Sequence, residues 1–261
     1  MDRSAKHKGG GPHMKIYAFI PARSGSKGLP DKNIRKINGH PLLAYSVAFG
    51  LALDIDRVIV STDSEQYAEI ARHYGAECPY LRGAEASSDT AMEELIIEDM
   101  SKNLGQFDID MPDIWLRLKP TNPFRNLETV KGALDIMCSS DPPDSVRIVS
   151  KTESRICGIN DQGWLEPSVP GWDPNRSVMR RTEFPEAYSP FNLDILFHQN
   201  WVNWGSAYMG KRIHPVVDHG ITGIDVNDED DFDIIKSIIE AKPRPRIVGQ
   251  YLKEPSAAPY Q

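Results

Sequence analysis

The chain has 261 residues, 40% of them hydrophobic, which is enough for one α/β domain with a substantial core and at most a small appendage. Its formal net charge of −7 disfavours nonspecific binding to nucleic acid or to an anionic membrane surface. No apolar run approaches the length of a membrane span. Cys78, Cys138 and Cys157 form no CxxC pair, which argues against a disulfide framework or a zinc site and fits a reducing cytoplasm.

Residues 1–13, ending in GGGPH, read as an expression remnant or a disordered leader, and the domain is expected to span 14–242. Residues 14–20 form a short apolar run with β-branched and aromatic members, the pattern of a strand covered on both faces. Directly after it, residues 20–33 (IPARSGSKGLPDKN) put Arg23, Lys27 and two glycines into a tight loop, and a helix is predicted over 41–53. A glycine-bearing loop at the carboxyl end of a first parallel strand points backbone N–H groups into the crevice where open α/β sheets bind ligands. Arg23 and Lys27 make that ligand an anion, most simply a polyphosphate. Between positions 23 and 36, Arg23, Lys27, Lys32, Arg35 and Lys36 face only Asp31, so an acidic protein carries a basic mouth.

Further along, a strand is predicted at 57–61 and a helix at 64–74, capped by Asp63 with Gln66 and ended by Gly75. Strands at 78–81, 114–119, 146–150 and 223–226 then alternate with helices at 90–104, 127–137 and 229–241. This alternation predicts a Rossmann-like, mostly parallel sheet with helices on both faces. The pattern breaks over 156–204, which holds Trp164, Trp172, Trp201 and Trp204 among several prolines and reads as an irregular insert. Residues 243–261 are a proline-rich tail.

The loop is not a P-loop, because only Ser26 and Lys27 separate Gly25 from Gly28, and it lacks the third glycine of the dinucleotide fingerprint. The longer string instead resembles the signature of the CMP-acylneuraminate synthetases, cytidylyltransferases that activate sialic and other nonulosonic acids. Residues 60–63 (VSTD), 81–91 (LRGAEASSDTA), 118–125 (LKPTNPFR) and 224–232 (IDVNDEDDF) resemble later blocks of that family in the same order. The resemblance therefore runs through nearly the whole chain from Met14 onward.

It implies a nucleotide-diphospho-sugar transferase type of fold, with the insert pairing with its copy in a homodimer. The implied reaction is attack of a sugar acid's anomeric hydroxyl on the α-phosphate of CTP, with pyrophosphate leaving. By the same resemblance Arg23 and Lys27 bind the triphosphate, the Ser24, Gly25 and Ser26 backbone cradles it, and Asn33 serves phosphate or ribose. Arg82 with Asp89 and Ala91 holds the nucleotide. Asp225 matches the family's metal-binding aspartate and implies Mg²⁺, while Asn227 stands where a companion carboxylate is usual. Asp228, Glu229, Asp230 and Asp231 read as charges at a helix N-terminus.

On the sugar side Lys119 replaces a customary glutamine, and Arg181 matches a family arginine in the block that also holds Tyr188 and Asn192. Ser189 occupies the place of another arginine, and Arg155 lies in the insert, placed to reach across a dimer. A cation gained at position 119 on one wall and lost at position 189 on another makes Lys119 the candidate for the sugar carboxylate. Two alternatives stay open. One is a nucleotidyltransferase using another nucleotide or a sugar phosphate; the other is a catalytically silent nucleotide-binding protein.

Overall fold

The computed structural model describes residues 13–88, 91–168, 180, 183–218, 220–241 and 252. The tail lies outside the described residues apart from Leu252, as does the leader apart from His13. Five strands and a long antiparallel one build the central sheet: β1 (Ile16–Pro21), β4 (Arg57–Ser61), β5 (Ile114–Arg117), β6 (Ser145–Thr152), β9 (Ala187–Phe197) and β10 (Ile213–Asp218), in the order β10-β6-β9-β5-β1-β4. β1 pairs in parallel with both β4 and β5, whereas β9 runs antiparallel between β5 and β6.

Alternation along the strands sorts their side chains onto two faces. Ile16, Ala18, Ile20, Leu116 and Ile195 pack with α1 (Leu42–Ala52), α2 (Glu65–His73) and α5 (Leu127–Met137). Tyr17, Phe19, Trp115 and Leu196 pack on the other face with Ile96, Ile97 and Met100 of α4 (Glu93–Asn103). α1 is buried all round from Leu42 to Gly50, because α7 (Glu229–Ala241) and an Asn38–Gly39 hairpin close over its outer side. The hairpin joins β2 (Lys36–Ile37) to β3 (His40–Pro41), and both turn residues take positive φ, the geometry an Asn-Gly pair favours. Among the described residues no helix is long and apolar enough to cross a membrane.

Three expectations about strands and the insert need correction. Residues 78–81 form no strand; the segment offers β4 only an isolated bridge through Glu77, since it leaves the sheet to bring Arg82 round. Residues 220–223 form a 3₁₀ turn rather than the start of a strand, and Val226 donates a single backbone bond to the Thr121 carbonyl. The insert is not irregular throughout. It holds a small hairpin of β7 (Cys157–Ile159) and β8 (Leu165–Pro167), then β9 and α6 (His198–Trp204).

Candidate active site

Between the carboxyl ends of β1 and β5 the strand order reverses, because the chain leaves β1 for β4 and then returns to β1's other side. A cleft of about 400 Å³ opens there. Its walls come from the loop after β1 (Arg23, Ser26, Lys27, Gly28, Lys32, Asn33) and from Arg82, Ala86 of α3 (Ala84–Ser87) and Ala91. Glu93 and Ile96 of α4, the turn Lys119–Pro120–Thr121 after β5, and Asp225 complete it.

The loop is shaped by its neighbours. Ser24 donates its N–H and its hydroxyl to the two carboxylate oxygens of Asp63, at 2.8 and 2.9 Å. Asp63 therefore pins the loop, and the cap of α2 falls to Ser64, whose hydroxyl accepts from the Tyr67 N–H; this corrects the expected Asp63 cap. Gly25 has φ 67°, and the buried Asn33 amide donates to the Arg23 carbonyl at 3.1 Å. At Gly28 a Cβ would sit 2.6 Å from the Asn227 carbonyl oxygen, so the loop lies directly against the segment that carries Asp225. Lys32 ties the same two segments by donating to the Val226 carbonyl at 2.9 Å.

Opposite charges meet in this cleft with hydrogen-bonding capacity in reserve. Arg82, only 4% exposed, donates from Nε to Ser87, while its Nη1 is buried with no hydrogen-bond partner among the described residues. The Oδ1 oxygen of Asp225 is likewise buried without one. Burial pushes the pKa values of Arg82, Lys32 and Lys119 down, with Arg117 adding to the effect on Lys119 and Asp225 opposing it for both lysines. An anionic ligand would reverse that cost. Below the cleft, Arg125 and Ser46 both donate to the Lys119 carbonyl, at 2.5 and 3.0 Å, so the buried guanidinium of the KPTNPFR block is scaffold for the turn.

A charged chain runs from the cleft onto the sheet. Arg117 forms ion pairs with Glu93 and, at 2.5 Å, with Asp194, directly opposite it on β9. Asp194, 1% exposed, also accepts from Arg147 at 2.6 and 3.2 Å. The second oxygen of Glu93 lies 3.9 Å from Lys119 Nζ.

Of the residues expected from sequence, Arg23, Ser26, Lys27, Asn33, Arg82, Ala91, Lys119 and Asp225 are brought together. Asp89 and Arg181 lie outside the described residues. Ser24 and Gly25 shape the loop rather than line the cleft.

Four residues stand elsewhere. Asn192 is buried and donates to Ser150 at 2.6 Å, beside a separate small cavity with Thr222 and Asp218, because a shift of register in β9 turns it to that side. Tyr188 and Arg155 are exposed and spend their polar ends on Glu186 and Glu153. Asn227 faces α7, where its amide donates to Asp231. Asp228 accepts from the Asp231 N–H, so that acidic run does serve the helix start.

Sequence reasoning did not single out Lys32, Glu93 or Thr121. Lys32 was legible only as one of a basic run, and Glu93 only as a position within the helix predicted over 90–104. Among the described residues no group of three acidic, histidine or cysteine side chains could hold a metal alone. Mg²⁺ needs few protein ligands when phosphates supply the rest, and the Asp225 Oδ1 oxygen, without a hydrogen-bond partner among the described residues, fits that demand.

A family model described as cytidylyltransferase matches residues 17–162. A CMP-N,N′-diacetyllegionaminic acid synthase of Legionella pneumophila is 40% identical over 154 residues, covering 58% of this chain and 66% of the relative. An N-acylneuraminate cytidylyltransferase of Escherichia coli is 29% identical over 237 residues, covering 89% of this chain and 54% of the relative. The chain thus spans about half the length of the latter. Among solved structures, a CMP:2-keto-3-deoxy-manno-octonic acid synthetase complexed with CTP superposes with a TM-score of 0.65 at 17% identity, over 87% of this chain and 99% of that one, which shows a shared fold.

Proposed function

Because this chain belongs to the cytidylyltransferase family, we propose that its cleft binds CTP and couples it to a sialic-acid-like sugar acid, giving a CMP-sugar and pyrophosphate. The observation that carries this reading is the cleft itself, which the loop cations line together with Asp225, whose buried Oδ1 has no hydrogen-bond partner among the described residues. A triphosphate brings enough negative charge to offset the buried cations and leaves oxygens for a shared cation. Arg23 and Lys27 hold the triphosphate, Asn33 fixes the loop that presents them, and Arg82 with its unused Nη1 orients the nucleotide. Lys119, on the wall formed by β5, takes the acceptor's carboxylate. Mg²⁺ held by Asp225 and the phosphates would supply charge neutralisation across the phosphate oxygens.

The working unit we propose is a homodimer. The hairpin β7–β8 exposes Ile159 at 75%, Trp164 at 68% and Leu165 at 66%, an apolar surface that a second copy would cover.

The test is a screen of the four nucleoside triphosphates against N-acetylneuraminate, N,N′-diacetyllegionaminate and sugar phosphates, read as pyrophosphate release. Release with CTP and a sugar acid is expected. Release only with another nucleotide or with a sugar phosphate would overturn the reading, as would tight CTP binding with no release for any acceptor.

A further inference from the structure

We infer that Glu93 is a positioning residue that acts as the internal counter-charge of Lys119, holding that lysine until an acceptor carboxylate displaces it; this rests on the assignment of Lys119 to the acceptor. Glu93 opens α4 and lines the cleft, with its carboxylate set between two cations. One oxygen is engaged by the buried Arg117, which also ion-pairs with Asp194 on the sheet, itself held by Arg147. The other oxygen approaches Lys119 Nζ at 3.9 Å, close enough for charge pairing and too long for a hydrogen bond. The two contacts therefore differ in kind, one fixed and one loose.

The network explains why an acid sits in a cleft built for anions. Arg117 ends β5 and Lys119 follows two residues later in the turn, where burial first and then the arginine disfavour the lysine's charge, with Asp225 and Asp194 opposing them. Glu93 lies against both cations and adds to the negative charge that Asp225 brings to Lys119. Its hold on Lys119 is weak enough for an incoming carboxylate to replace, because Arg117 keeps Glu93 from following the lysine. An uncharged acceptor lacks the charge for that exchange, so the pair favours sugar acids over neutral sugars.

The test measures steady-state KM values for wild type, Glu93→Gln, Lys119→Gln and the double variant. The acceptors are N,N′-diacetyllegionaminate and its methyl ester, in which the carboxylate is masked. Glu93→Gln should lower the KM for the acid about fivefold, since the carboxylate that competes with the acceptor for Lys119 has been removed. KM for CTP and for the ester should change less than twofold. In the Lys119→Gln background the same substitution should change the acid's KM less than twofold.

A rise in KM for acid, ester and CTP together would mean that Glu93 merely supports the cleft, and would overturn the inference. So would an equal effect of Glu93→Gln with and without Lys119. If wild type releases no pyrophosphate with the acid, or if Lys119→Gln leaves its KM unchanged, the acceptor assignment falls and this inference falls with it. A normal response to Lys119→Gln with a flat response to Glu93→Gln defeats the inference alone.

Discussion

At the scale of single residues, the proposed function gives the loop cations the charge and Asp225 the coordination. Arg23→Ala or Lys27→Ala should reduce turnover about 10- to 100-fold while leaving the far-UV circular dichroism unchanged, because each removes a charge-assisted contact worth roughly 1.5–3 kcal/mol. Wild-type turnover in either variant would contradict the triphosphate role. Asp225→Asn should abolish Mg²⁺-dependent pyrophosphate release, whereas Asn227→Ala, on the helix side of the same segment, should keep most of it. A magnesium titration of both variants checks this.

A different residue governs the response of the fold to acid. The indole of Trp115 donates to His198 Nδ1 at 3.1 Å, which requires a neutral ring, and burial pushes the His198 pKa below its ordinary 6.5. The sign follows from linkage: the unfolded chain binds this proton more readily, so the contribution is complete above pH 6.5 and declines as pH falls toward the lowered folded value. Urea unfolding at pH 7.5 and 5.5 should show a loss of stability that shrinks in His198→Gln. An equal loss in both proteins would remove His198 from the explanation.

At the scale of elements, the close approach of the loop to the segment bearing Asp225 decides how the site is assembled. Gly28→Ala puts a methyl group against the Asn227 carbonyl, a backbone atom that cannot rotate away. The loop must then shift, separating Lys27 from Asp225, and KM for CTP should rise more than 10-fold, with little change in secondary structure. Unchanged CTP kinetics would show that the loop docks elsewhere. The prolines of β9 and β10 follow the same logic of local geometry. Pro190 lies where the β6–β9 register shifts, and Pro215 sits on an edge strand, two places where a missing N–H is tolerated.

At the scale of the whole molecule, the reversal of strand order places one crevice where four segments distant in sequence converge. The apolar hairpin projects from the same domain. Replacing Ile159 and Trp164 with aspartate should convert a dimer to a monomer by size-exclusion chromatography with light scattering, because the cost of burying the two charges falls on the interface alone. A wild-type protein that runs as a monomer at micromolar concentration would dispose of the dimer.

The sequence by itself determined the class of fold, the loop after β1 and the family. Periodicity exposed β1, β4, β5, β6, α1, α2, α5 and α7 because each buries a simple stripe or run, and the loop declared itself through charge and glycine spacing within a dozen residues. Only the tertiary structure revealed β9, since a strand interrupted by Pro190 and carrying a buried Asp194 does not look apolar until Arg117 and Arg147 are seen beside it. It alone separated Asn192, Tyr188, Arg155 and Asn227 from the cleft, and it alone brought Glu93 in. Motif order places residues along a chain, but the direction of a side chain depends on strand register and on the partner that neutralises it, and both of those are contacts between segments far apart in sequence.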